Sequence, residues 1–319
     1  MTPPTLLAAM PEWQAHVEVW LLVAAVAGLG IYAAKVIQPK MVAAGEPPIT
    51  TRQKVWFWGA VAVLWIASDF PIHEIAEQRL YSVHMAQHSL LMVVFPPMLL
   101  LATPTWLARL LLGNGRFKRV FSYWARPAPA LLVNLGLTAA MHSAMLVNAA
   151  AEIGWVHFLI HTVAIASSFL VWMCICGPLP ELQVTPPFKM LVLFLLSIIP
   201  TIPMAFLAAA ETVLYEAYDQ PIRLWGLSVV QDQQLAGAMM KVVTGSYLWV
   251  IIAVIFFRWT LGERGEKKRY RGKLVTSAGD VVEPVVPGDR VASGSGARSG
   301  GAPASGLADP PGPRDPRNN

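Results

Sequence analysis

Seven histidines hold most of this chain's capacity to bind a metal or move a proton: His16, His73, His84, His88, His142, His157 and His161. Two pairs among them, His84/His88 and His157/His161, repeat the spacing His-x-x-x-His. On a helix, positions i and i+4 share a face, so each pair can turn two imidazoles toward one ion. The same spacing frames the zinc motif H-E-x-x-H, but neither pair carries the Glu that would activate water there. The pattern points to holding a metal rather than to hydrolysis, and the chain reads as a non-enzyme.

The elements that must position these histidines are membrane helices. Of 319 residues, 55% are apolar and only 13% are charged, against about 25% charged in soluble domains, which excludes a soluble single-domain enzyme. The two cysteines, Cys174 and Cys176, are too close together to staple a disulfide framework. The net charge of +5 lies beside apolar runs rather than in a basic patch interleaved with aromatics, so the expected partner is a lipid bilayer and not nucleic acid.

A span needs about 20 mostly apolar residues. Seven stretches qualify: Val17–Ile37, Lys54–Ser68, Ser82–Leu101, Ala128–Asn148, Trp155–Gly177, Lys189–Ala210 and Leu235–Trp259. The fold class is thus an all-α, polytopic membrane bundle of seven transmembrane helices. Pro96-Pro97 should kink the third span, and Thr105–Leu112 reads as a short interfacial helix ending at Gly113. Lys and Arg in the connecting segments divide seventeen to two between the two sides. The positive-inside rule then puts the N-terminus outside and the C-terminus in the cytoplasm. Residues 1–16 form a short extracytoplasmic N-terminus without the charged start of a signal peptide. Residues 17–262 form the membrane domain. Residues 263–319 are a basic, then disordered, cytoplasmic tail poor in core-forming residues.

In this topology every histidine falls on the outer side or in the outer half of the bilayer, with His73 in an outer loop. His88, His142 and His161 each lie six residues inside a span, about 9 Å deep at the helical rise. His84, His88, His142, His157 and His161 are therefore the expected metal ligands. Gln87, Met85 and Asp232 are the expected second shell, and Gln87, Asn134, Asn148 and Ser143 are polar partners for groups buried in the spans. Met85, Met141, Met145, Met239 and Met240 lie near the same level, and Met204 in the outer half of the sixth span; thioether and imidazole together suit Cu(I), although methionine also fills cores. Asp232 is placed to cap the seventh span or to orient an imidazole. Lys241 either snorkels or pairs with Asp232 or Glu211. The cysteines lie about 20 Å along the fifth span from His161 and read as buried thiols.

The run His84-Met85-Ala86-Gln87-His88-Ser89-Leu90-Leu91, followed by Pro96-Pro97 and Pro104, resembles the signature of the multi-spanning CtaG-type cytochrome c oxidase assembly factors of bacteria. His142, the segment Trp155–His161 and Asp232-Gln233-Gln234-Leu235-Ala236-Gly237 extend the match, which covers about Phe70 to Trp259. The resemblance implies a seven-span protein of the bacterial inner (plasma) membrane that serves haem-copper oxidase subunits by handling copper. It places that role on His84, His88, His142, His157, His161 and Asp232. The chain departs from the family pattern at Lys241 and in lacking a proline soon after His142. Two other readings use the same histidines: a haem b membrane oxidoreductase with axial His ligands, and a copper transporter. The i,i+4 spacing favours a small ion over haem. Against a transporter, no ladder of ionisable groups runs from the histidines to the cytoplasm.

Overall fold

The computed structural model describes residues 11–221 and 223–276, and every regular element among them is helical. The chain divides into two units, Met1–Gly265 and Glu266–Asn319. The first holds all the elements discussed below; in the second the described backbone, 266–276, is helical. The disordered part of the expected tail lies outside the described residues.

The helices are α1 (Val17–Ala43), α2 (Thr51–Ser68), α3 (Ile72–Gln78), α4 (Tyr81–Ala102), α5 (Thr105–Leu112), α6 (Arg116–Trp124), α7 (Pro127–Met141), α8 (Ala144–Glu152), α9 (Gly154–Cys176), α10 (Pro186–Ala208) and α11 (Val229–Gly262). Five of them are long and apolar enough to cross a membrane. The number rises to seven if the bent pairs α2/α3 and α7/α8 each count as one span. Their outward faces carry large apolar side chains such as Leu21, Phe158, Ile202 and Phe206, all more than 60% exposed. A water-facing surface rarely presents so much apolar area; a lipid-facing one must.

Local sequence sets the helix boundaries. Thr50 and Gln53 open α2 with a capping box, the Thr50 hydroxyl oxygen accepting from the Gln53 amide and the Gln53 side chain accepting from the Thr50 amide. Ser228 and Gln231 do the same for α11. Helix α5 runs over the expected residues and stops at Gly113, whose φ of 58° few other residues adopt readily.

At Pro96-Pro97 the α4 backbone widens into a π turn over Leu90–Val94 just before the prolines, and the helix then continues to Ala102. Two expectations need correction. His73 is not in a loop but on α3. The expected continuous span Ala128–Asn148 is broken, with α7 and α8 meeting at 74°. Ser143 caps both ends at the break: its hydroxyl donates to Ala140 O at the end of α7, and its oxygen accepts from Leu146 N at the start of α8. His142 therefore sits at a helix end rather than six residues inside a straight helix.

The two largest of the four buried clusters among the described residues differ in character. One is an apolar core of Leu131, Val171, Trp172, Cys174, Leu193 and Leu248 from α7, α9, α10 and α11, with Asn134 of α7 donating to Ser167 and Ser168 of α9 beside it. The other is an aromatic cluster of Tyr81, Tyr215 and Tyr218 with Met85 and Leu207. Helices α10 and α11 touch at Gly237, where a Cβ would lie 2.6 Å from Met204 O. Small residues allow such close backbone approach between membrane helices.

Candidate metal centre

The centre is built on the first two turns of α4, and the position of that helix is fixed by a residue 150 positions away. Asp232 of α11, 3% exposed, accepts from Tyr81 N at 2.6 Å and Ser82 N at 3.1 Å, and the Ser82 hydroxyl donates to it as well. These amides are among the orphan donors of a helix N-terminus, where a carboxylate is favoured both by hydrogen bonding and by the macrodipole. Asp232 is thus a cap, as one expectation had it, but of α4. Its own helix is capped by Ser228. Among the described residues it forms no hydrogen bond with an imidazole and acts on the histidines through the helix that carries them.

From that fixed start, His84 and His88 project on one face with ring centroids 4.4 Å apart, both buried. Helix α9 brings His161 against them, its centroid 4.3 Å from His88 and 5.4 Å from His84. A ligand nitrogen from each of the three lies within 4.8 Å of the other two. The Nε2 atoms of His88 and His161 are 3.0 Å apart, so one ring donates to the other. Nδ1 of His84 is buried and has no hydrogen-bond partner. Two nitrogens at about 2.0 Å from a tetrahedral ion would be about 3.3 Å apart. The His88–His161 pair would therefore open by a few tenths of an ångström around a cation that replaces the shared proton. Imidazole donors of this kind suit copper, zinc, iron or nickel rather than magnesium or calcium.

The five expected ligands, His84, His88, His142, His157 and His161, all line one cavity of about 810 Å³, but only three of them converge. His157 lies parallel to His161, at 4.3 Å and 9°, and its Nε2 faces Glu77 Oε1 at 3.3 Å. His142 donates from Nδ1 to Thr138 O at 2.7 Å. That bond leaves the lone pair on Nε2, which is buried without a partner; a ring-nitrogen bond to a carbonyl is how many metal-binding histidines are held. Of the expected second shell, Gln87 reaches His73 Nδ1 at 3.1 Å rather than the cluster. Met85 is packed among tyrosines. Lys241 pairs with neither Asp232 nor Glu211: it donates to Thr201 Oγ1 at 2.6 Å, beside a smaller cavity that Met141, Met204 and Met240 also line. Cys174, fully buried, donates to Val171 O.

Sequence reasoning missed a ring of carboxylates beside the cluster. Glu77 Oε1 lies 3.3 Å from the Nε2 atoms of both His73 and His157. Glu74, 1% exposed, accepts from His16 Nε2 at 2.8 Å, and Glu18 lies 3.0 Å from His16 Nδ1. The spacing His73-x-x-x-Glu77, with Glu74 one turn before Glu77, carried that signal. Burial lowers the pKa of His16, but the hydrogen bonds and charges of Glu18 and Glu74 outweigh it and leave the pKa raised.

No curated protein and no solved structure matches the chain. Residues 13–261, which take in α1 to α10 and α11 up to Leu261, with the capped, histidine-bearing α4 among them, match the family model described as cytochrome c oxidase caa3 assembly factor (Caa3_CtaG). The chain belongs to that family of cytochrome c oxidase assembly factors.

Proposed function

We propose that this assembly factor holds copper on His84, His88 and His161 and passes it to a haem-copper oxidase subunit during assembly. The supporting observation is the convergence of three imidazoles from two helices on the wall of one cavity, with His84 Nδ1 buried and unpartnered. His142 Nε2 is the candidate fourth donor. In this reading the chain crosses the bacterial plasma membrane seven times, the bent pairs α2/α3 and α7/α8 each counting as one span. The distribution of Lys and Arg puts its N-terminus outside, so the cluster opens to the side where copper arrives.

Copper is cargo here. Ligand imidazoles must offer a free lone pair, so uptake moves the proton shared by His88 and His161 from Nε2 to Nδ1 of one ring, and binding weakens as pH falls and the rings become protonated. A centre without thiolate holds the ion less tightly than a cysteine site would, which suits transfer. Asp232 keeps α4 in place while the ion enters and leaves.

The test is metal analysis of the purified protein beside a His84→Ala, His161→Ala double variant. Copper in the wild type that falls in the variant supports the reading. Equal copper in both, or a stoichiometric Soret band in place of copper, overturns it.

A further inference from the structure

Glu77 is placed between two imidazoles that the three-histidine centre does not use. Its Oε1 lies 3.3 Å from His157 Nε2 of α9 and 3.3 Å from His73 Nε2 of its own helix. That distance is long for an N–H···O hydrogen bond, which usually spans about 2.7–3.2 Å. Adjacent donors about 2.0 Å from a tetragonal Cu(II) ion lie about 2.8 Å apart, so the Glu77–His157 pair would close by about half an ångström around one. Gln87 donates to His73 Nδ1, so the His73 proton sits on Nε2 toward the carboxylate, and His157 is the imidazole left to share an ion with Glu77.

This group is wetter than the centre it adjoins. The Glu77, His73 and His157 side chains are 37%, 21% and 18% exposed, whereas His84 and His88 are 8% and 5% exposed. All five line the same cavity, as does Glu18. The outer set mixes oxygen with nitrogen, as a partly hydrated divalent ion prefers, while the inner set offers nitrogen alone. The parallel His157 and His161 rings join the two sets within one turn of α9.

We propose that Glu77, sharing the ion with His157, holds a second copper ion in transit at the mouth of the cavity, outside the three-histidine centre. The ion is captured there as Cu(II) with water completing its shell, then moves inward past His157. This inference rests on the proposed function for its destination, but the site itself can be tested separately.

The experiment is a Cu(II) titration of the detergent-solubilised full chain, followed by bound copper and by electron paramagnetic resonance. It compares the wild type with Glu77→Gln, His157→Gln and the His84→Ala, His161→Ala double variant. The wild type is expected to take up two copper ions. Glu77→Gln should lose the one whose spectrum carries an oxygen donor and keep the all-nitrogen signal, which also shows that the variant is folded. His157→Gln should weaken the same ion by about 10- to 100-fold, and the double variant should keep it. If Glu77→Gln binds copper as the wild type does, the outer site is overturned, whatever the double variant does. If one ion binds, is lost in Glu77→Gln and survives in the double variant, the outer site stands and the inner centre falls.

Discussion

Two His-x-x-x-His pairs of identical spacing behave differently in this molecule. His84 and His88 converge with His161 in a buried pocket where no carboxylate among the described residues is bonded to any of the three. His157 and His161, four residues apart on α9, stack in parallel, and the outer ring turns its Nε2 to Glu77. Spacing fixes which face of a helix carries the rings. The neighbouring helix decides where their nitrogens point: α4 presents imidazoles to the lower turn of α9, and α3 presents a carboxylate to the upper. Charge separates the regions further, since His16, His73 and His157 each have a glutamate partner and the inner three have one another.

The largest effect on this contrast should come from Asp232→Ala. It strands two buried backbone donors at the start of α4, each costing about 1–3 kcal/mol, and copper affinity at the inner centre should fall with the melting temperature. Asp232→Asn, which keeps one acceptor, should fall between. An unchanged melting temperature would mean that α4 is positioned by something else. His142→Ala comes next. Losing a candidate fourth donor should weaken inner copper by about 10- to 100-fold in a competition titration while leaving the outer ion untouched, and an equal loss at both would erase the distinction between them.

The two regions should also respond to pH with opposite sign. His16 has a raised pKa in the folded chain, so its tie to Glu74 is fully stabilising below the ordinary histidine value of about 6.5 and is lost as pH rises through the raised value. Inner copper affinity instead rises with pH, because its ligands must be unprotonated. Melting of metal-free wild type and His16→Gln across this range checks the first slope: the wild type alone should lose stability as pH rises. The smallest effect belongs to Cys174→Ala. The thiol is thirteen residues along α9 from His161 and bonded to Val171 O, so copper content should not change.

Much of this arrangement could be read from the chain. Long apolar runs located the helices, and helical rise put His88 and His161 at one level because α4 and α9 are unbroken around them. It failed for His142, where Ser143 opens a new helix; the cap was visible as a residue type, but the bend there depends on neighbouring helices. The capping box Ser228-Val229-Val230-Gln231 was equally visible, and reading it would have freed Asp232 from capping its own helix. Nothing local could show that Asp232 reaches Tyr81 and Ser82, since that contact exists only once α11 packs on α4. The rotation of the His157 ring was hidden for the same reason, its orientation being set by Glu77 on a third helix.

The copper-edge X-ray absorption spectrum of the loaded Glu77→Gln protein, with the outer ligand removed, tests the inner centre most directly. A nitrogen shell near about 2.0 Å with the multiple scattering of three or more imidazoles is the predicted result, lost on adding His84→Ala and His161→Ala. A spectrum dominated by oxygen or sulfur, or one that survives those two substitutions unchanged, would contradict the centre.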